Sequence, residues 1–160
     1  MIRSRAEQRS LRLVVAAAIA GGCAEPCEED ARAQVLARRA TRTIGGAEVE
    51  AEVALRAVER ERGWMHRRCG MEALALIPEA RAPLPIWTCA MTIPVDLFFV
   101  ADGRVIAAEY GAAPCAEPCG QACARYGAEI AVDAVIEAPA GALGAALGDA
   151  VEGFEGLDGD

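Results

Sequence analysis

Three cysteines at Cys115, Cys119 and Cys123 form the densest group of reactive side chains in this sequence. Closely spaced thiolates suit soft ions, so one chemistry open to them is Cu(I) binding. The spacing is not a C-x-x-C redox motif, and no second C-x-x-C completes a zinc site. Disulfides that pin a long loop are favoured over metal. Cys27, Cys69 and Cys89 bring the disulfide candidates to six, an even number that suits an oxidising compartment. Cys69 and Cys89 flank a segment whose closure would join two strands, which makes them one candidate pair. Cys27 is then left for a loop cysteine, and spacing alone leaves the connectivity open. The single histidine, His66, sits in a charged stretch between Met65 and Arg67. Neither a metal nor a cofactor is expected.

A second chemistry would need paired carboxylates. Asp96 follows Pro94 and Val95 at the start of an otherwise apolar run, and Glu109 ends the next one. Two such acids near each other could act on a glycan, but acids on a hairpin are more often solvated or ion-paired, so a non-enzymatic role is favoured. Trp64 and Trp87 could stack on a ligand. In a chain this poor in aromatics they are also needed for packing, and the core is favoured for Trp64. The only serines, Ser4 and Ser10, lie in the N-terminal segment, and no G-x-S-x-G, P-loop or G-x-G-x-x-G motif occurs. A serine nucleophile is excluded.

The elements that must position these groups begin with an address label. Arg3, Arg5, Arg9 and Arg12 precede an apolar run ending at Ala20, and residues 1–22 read as a secretory signal peptide. The run is too short to span a bilayer. Cys23, after Ala20-Gly21-Gly22, is similar to the lipidated cysteine of bacterial lipoproteins, and cleavage after Ala18-Ile19-Ala20 is the competing reading. The expected location is the periplasm or cell envelope, with the membrane reached through an N-terminal lipid anchor at Cys23. The net charge of −8 argues against nucleic acid, whose phosphates demand the opposite sign. It argues equally against charge-driven binding to an anionic lipid surface.

Residues 23–44 are polar and read as a tether, Gly45-Gly46 marks a boundary, residues 45–155 are one β-domain, and residues 156–160 are a tail. Alternation at residues 48–55 predicts a half-buried strand. A short helix broken near Gly63 fits residues 57–68. Residues 74–77 form an apolar run stopped by Pro78. Two apolar runs around Asp102-Gly103 predict a hairpin, and a loop with three cysteines follows over 111–127. Strands at 130–137 and 150–154 complete a mainly β fold, a single compact β-sandwich or barrel-like domain with one or two short helices.

The order Glu61-Arg62-Gly63-Trp64-Met65-x-Arg67, Gly70-Met71, Trp87, Ile93-Pro94-Val95-Asp96, a D-G hairpin, Pro114-Cys115-x-x-Pro118-Cys119 and Gly148-Asp149 resembles the bacterial and archaeal domain-of-unknown-function family 192. The resemblance implies a compact single β-sandwich domain, often behind a signal peptide, with no established biochemical role. Thr88-Cys89-Ala90-Met91 stands where the family has Met-Lys-Asn-Thr, so any polar ligand contact made by that lysine and asparagine is missing here. If a ligand site exists, it is expected at Trp87, Asp96, Glu109 and the 114–123 loop, rather than on the 60–68 helix. The expected partner is a small ligand or an envelope protein.

Overall fold

The computed structural model describes residues 27–153. The expected signal peptide, Cys23 and the tail lie outside the described residues. The order is β1 (Arg39–Ile44), β2 (Ala47–Ala54), α1 (Ala57–Arg62), β3 (Ala73–Leu76), β4 (Ala82–Pro83), β5 (Val95–Ala101), β6 (Arg104–Ala112), β7 (Ala131–Val132), β8 (Ala134–Pro139) and β9 (Val151–Glu152).

Seven strands form one sheet in the order β6-β5-β8-β3-β2-β1-β9, and β4 pairs with β7 apart from it. Ala150, just before β9, bridges back to Arg104 at the start of β6. The Val151 N–H donates to the Gly103 carbonyl at 2.8 Å, and the Val105 N–H to that of Asp149 at 3.0 Å. The sheet is therefore a nearly closed barrel, as the mainly β reading expects. The β2–β3 pair is parallel, which requires a crossover instead of a hairpin. Helix α1 lies in that crossover, and Gly63 ends it at φ 45°.

Two apolar layers flank the sheet. On one side Phe98, Val100 and Ile136 pack with Ile44, Val105 and Val151. On the other, Leu97, Phe99 and Val135 pack with Leu74, Leu76, Trp64 and Met91. β5 alternates between them and is buried along its whole length, which is why it reads as a continuous apolar run.

Two expectations change. The described part of the supposed tether is docked on the domain. Residues 39–44 are strand β1, Gly45-Gly46 is the turn into β2 and no boundary, and Glu29 accepts from the Arg68 N–H at 2.6 Å and the Cys69 N–H at 3.2 Å. The charged composition hides this docking because Glu29 pairs with Arg67 and Arg39 with Glu50 and Glu52, while Glu28, Arg32 and Arg38 stay exposed. The disulfides are Cys27–Cys69, Cys89–Cys119 and Cys115–Cys123. Cys69 and Cys89 are not partners. Docking of the N-terminal segment brings Cys27 to Cys69, and the 111–127 loop folds back over Cys89.

Candidate functional site

β8 carries the side chain that stands out chemically. In register, Glu137 lies between Leu74 of β3 and Leu97 of β5. Residues opposite each other in a sheet point to the same face, so a carboxyl sits between two fully buried leucines, itself 3% exposed. Its Oε2 has no hydrogen-bond partner among the described residues. Burial disfavours the ionised form and pushes Glu137 up to about 8, so it is largely protonated at neutral pH. A buried polar group left unpaired costs about 1–3 kcal/mol.

Glu137 lines a cleft of about 380 Å³ between α1 with its following turn and the 84–87 segment. Trp64 forms another part of the lining, and its buried Nε1–H is also without an acceptor among the described residues. Leu76, Ile86 and Met91 make the walls apolar. Two antiparallel hydrogen bonds between Ile86 and Tyr126, both 2.9 Å, hold the 84–87 wall to the cysteine-rich loop. Trp87 is half-buried at this wall, with the Arg125 guanidinium 4.3 Å above its ring centroid. Arg60 lines the cleft too, but it donates to the carbonyls of Leu55 and Ile77. Arg62 and Arg125 are exposed at the mouth. Neither is in an ion pair among the described residues. The cleft thus has an apolar body, a buried donor and acceptor, and a cationic rim in which Glu61 is the opposing charge.

The expected site residues are divided by this arrangement. Trp87 lines the cleft; Asp96, Glu109 and residues 114–123 do not, whereas α1 does. Asp96 is buried, and its two oxygens accept from the N–H groups of Gly111 and Gly141, each at 2.8 Å. It ties the end of β6 to the turn after β8. Glu109 is exposed and pairs with Leu97, while Asp96 pairs with Ala138. Adjacent strand residues face opposite ways, so the two carboxylates lie on opposite faces of the sheet. Glu137 escaped the sequence reading. The signal that could have found it is a single acid inside the run Ala134-Val135-Ile136-Glu137-Ala138, where apolar residues fill both faces.

Residues 40–152 match the sequence profile of DUF192, described as an uncharacterized ACR. The chain belongs to the DUF192 family. The match begins within β1, in agreement with the strand that the polar composition had hidden. A search of curated proteins finds no match to the DUF192 chain. Two solved structures are similar to it. One is a Sinorhizobium meliloti 1021 protein provisionally described as a transcription regulator, at 25% identity and a TM-score of 0.63, covering 75% of this chain and 97% of its own. The other is a protein of unknown function from Novosphingobium aromaticivorans DSM 12444, at 26% identity and a TM-score of 0.57, covering 71% of this chain and 83% of its own.

Proposed function

We propose that this DUF192 domain is exported, held at the cell envelope through Cys23, and binds a small organic ligand in the cleft under α1 without transforming it. The observation that carries the binding reading is Glu137, a buried carboxyl whose Oε2 has no partner among the described residues and which lines a concavity beside Trp64. Such a group persists in a folded domain most readily where something from outside completes its hydrogen bonds. Export is supported by the Arg-rich, apolar N-terminal segment and its Ala20-Gly21-Gly22-Cys23 end. Three disulfides also suit an oxidising compartment.

The alternatives lose support. The six cysteines among the described residues are all in disulfides, which leaves no thiolate there for a soft metal. Asp96 and Glu109 on opposite faces give a glycan no pair of carboxylates to lie between. The regulator description of the Sinorhizobium protein is not carried over, because a net charge of −8 repels phosphates.

Two measurements test the reading. Cys23→Ala should move the protein out of the membrane fraction, whereas inhibition of lipoprotein signal peptidase should leave a larger, uncleaved form in it; unchanged fractionation of the variant together with unchanged size under inhibition removes the anchor. A fragment screen read at the two indole N–H resonances should find molecules that shift Trp64 and Trp87 together. A screen that moves neither removes the cleft.

A further inference from the structure

The cleft under α1 has a chemical polarity that narrows its ligand, and the ligand class inferred from that polarity rests on the binding reading. At the bottom, Glu137 Oε2 lacks a donor and Trp64 Nε1–H lacks an acceptor among the described residues. A single neutral group that both donates and accepts, a hydroxyl or an amide, can complete both. An ammonium leaves the indole N–H unmet, and a carboxylate at this depth would bury its charge among apolar walls, away from the exposed arginines of the mouth. Between floor and mouth the walls are aliphatic and aromatic, so the ligand's middle must be apolar. At the mouth, Arg62 from the end of α1 and Arg125 from the cysteine-rich loop are both without an ion pair among the described residues. Arg125 lies over Trp87, which keeps its guanidinium edge available to a bidentate anion. Among the described residues Glu61 is the one acid lining the rim, against these two guanidinium groups, and Arg60 is held by backbone carbonyls.

We propose that the cleft takes a small organic anion bearing a hydroxyl or amide at the end opposite its charge, with the anion at Arg62 and Arg125 and the neutral head between Glu137 and Trp64. A simple cation is disfavoured by the three arginines, and a fully apolar molecule leaves both buried polar atoms unmet. The volume of about 380 Å³ lies in the ordinary range for small-molecule sites, roughly 300–1,000 Å³.

The test uses the intact disulfide-bonded protein and a homologous series of ω-hydroxy carboxylates. These are compared with the matching alkanoates, which lack the hydroxyl, the matching alcohols, which lack the anion, and ω-amino carboxylates, which carry a donor that cannot accept. Binding is followed by titration calorimetry and by the indole N–H resonances. The hydroxy acids should bind about tenfold or more tighter than each single-ended analogue. Glu137→Leu should erase their advantage over the alkanoates, and Arg125→Gln should erase their advantage over the alcohols. Leucine matches the apolar neighbours of Glu137, so the first variant is expected to fold, and circular dichroism checks that it does. Equal binding of the hydroxy acid and both single-ended analogues, or tightest binding of the amino acid series, overturns the assignment. If other fragments still move both indoles, only the ligand class falls; if no molecule of any kind does, the cleft reading falls with it.

Discussion

Arg67 and Glu52 form a two-pronged ion pair inside the protein. Nη2 donates to Oε1 at 2.8 Å and Nη1 to Oε2 at 3.2 Å, and both residues are almost fully buried. The same guanidinium donates to the carbonyls of Cys69 at 2.7 Å and Gln34 at 2.9 Å and reaches Glu29 at 2.8 Å. One side chain thus joins β2, the segment after α1 and the N-terminal segment, beside the Cys27–Cys69 disulfide.

Arg67→Leu should lower stability by about 3–5 kcal/mol, because it leaves Glu52 buried without its main partner. Adding Glu52→Gln should restore part of that loss. Urea denaturation of the single and double variants measures both, and equal stability of Arg67→Leu and the wild type would remove the pair's role.

Glu137 gives the fold a pH dependence of definite sign. Its carboxyl ionises near 4.5 when solvated and is pushed up to about 8 by burial. Between those values the folded protein holds a proton that the unfolded chain lacks, so stability falls as pH rises through the window and levels off above it. Glu137→Leu should flatten that part of the curve and be the more stable protein at pH 9, by an amount on the order of a few kcal/mol. Denaturant midpoints of the two proteins across the range check it, and parallel curves would contradict it.

Gly127 is a packing requirement. A Cβ there would lie 2.0 Å from Phe99 Cε1, and its φ is +70°. Gly127→Ala must displace a ring buried in the layer that also forms the cleft walls, and should cost about 1–3 kcal/mol or more. A melting temperature within a degree of the wild type would show that Phe99 moves freely.

Removing Cys89–Cys119 by paired alanine substitution should cost about 2–4 kcal/mol. It should also loosen the Ile86–Tyr126 bonds and lift Arg125 from Trp87, since residues 119–126 then lose their covalent link to the 86–89 segment. Hydrogen exchange at the Ile86 and Tyr126 amides reads this directly. Unchanged exchange would mean that Cys115–Cys123 alone holds the wall.

Local features were legible in the sequence and long-range ones were not. The hairpin at Asp102-Gly103, a strand at β2 and the helix stop at Gly63 each follow from neighbouring residues and are found where expected, although β2 is buried on both faces from Ala51 to Ala54 instead of half-buried throughout. The disulfide partners were hidden because they depend on how the N-terminal segment docks. β1 was hidden because its Arg39, Thr41 and Thr43 look like linker until Arg39 meets Glu50 and Glu52 across the pair. Asp96 looked reactive because its two N–H partners, Gly111 and Gly141, are distant in sequence. Glu137 was overlooked because its environment is made by Leu74 and Leu97, one from each flanking strand.

The seam between β1 and β9 sets a schedule for assembly. Thr43 and Ile44 pair with Glu152 and Val151, so the first strand of the barrel waits for the last before the circle shuts. A ribosome must therefore release nearly the whole domain before closure, since contacts between chain ends form only after the intervening chain has emerged. The barrel cannot lock early. A chain threaded through a membrane in extended form would arrive with this step still ahead of it, and with its cysteines ready to be joined on the far side.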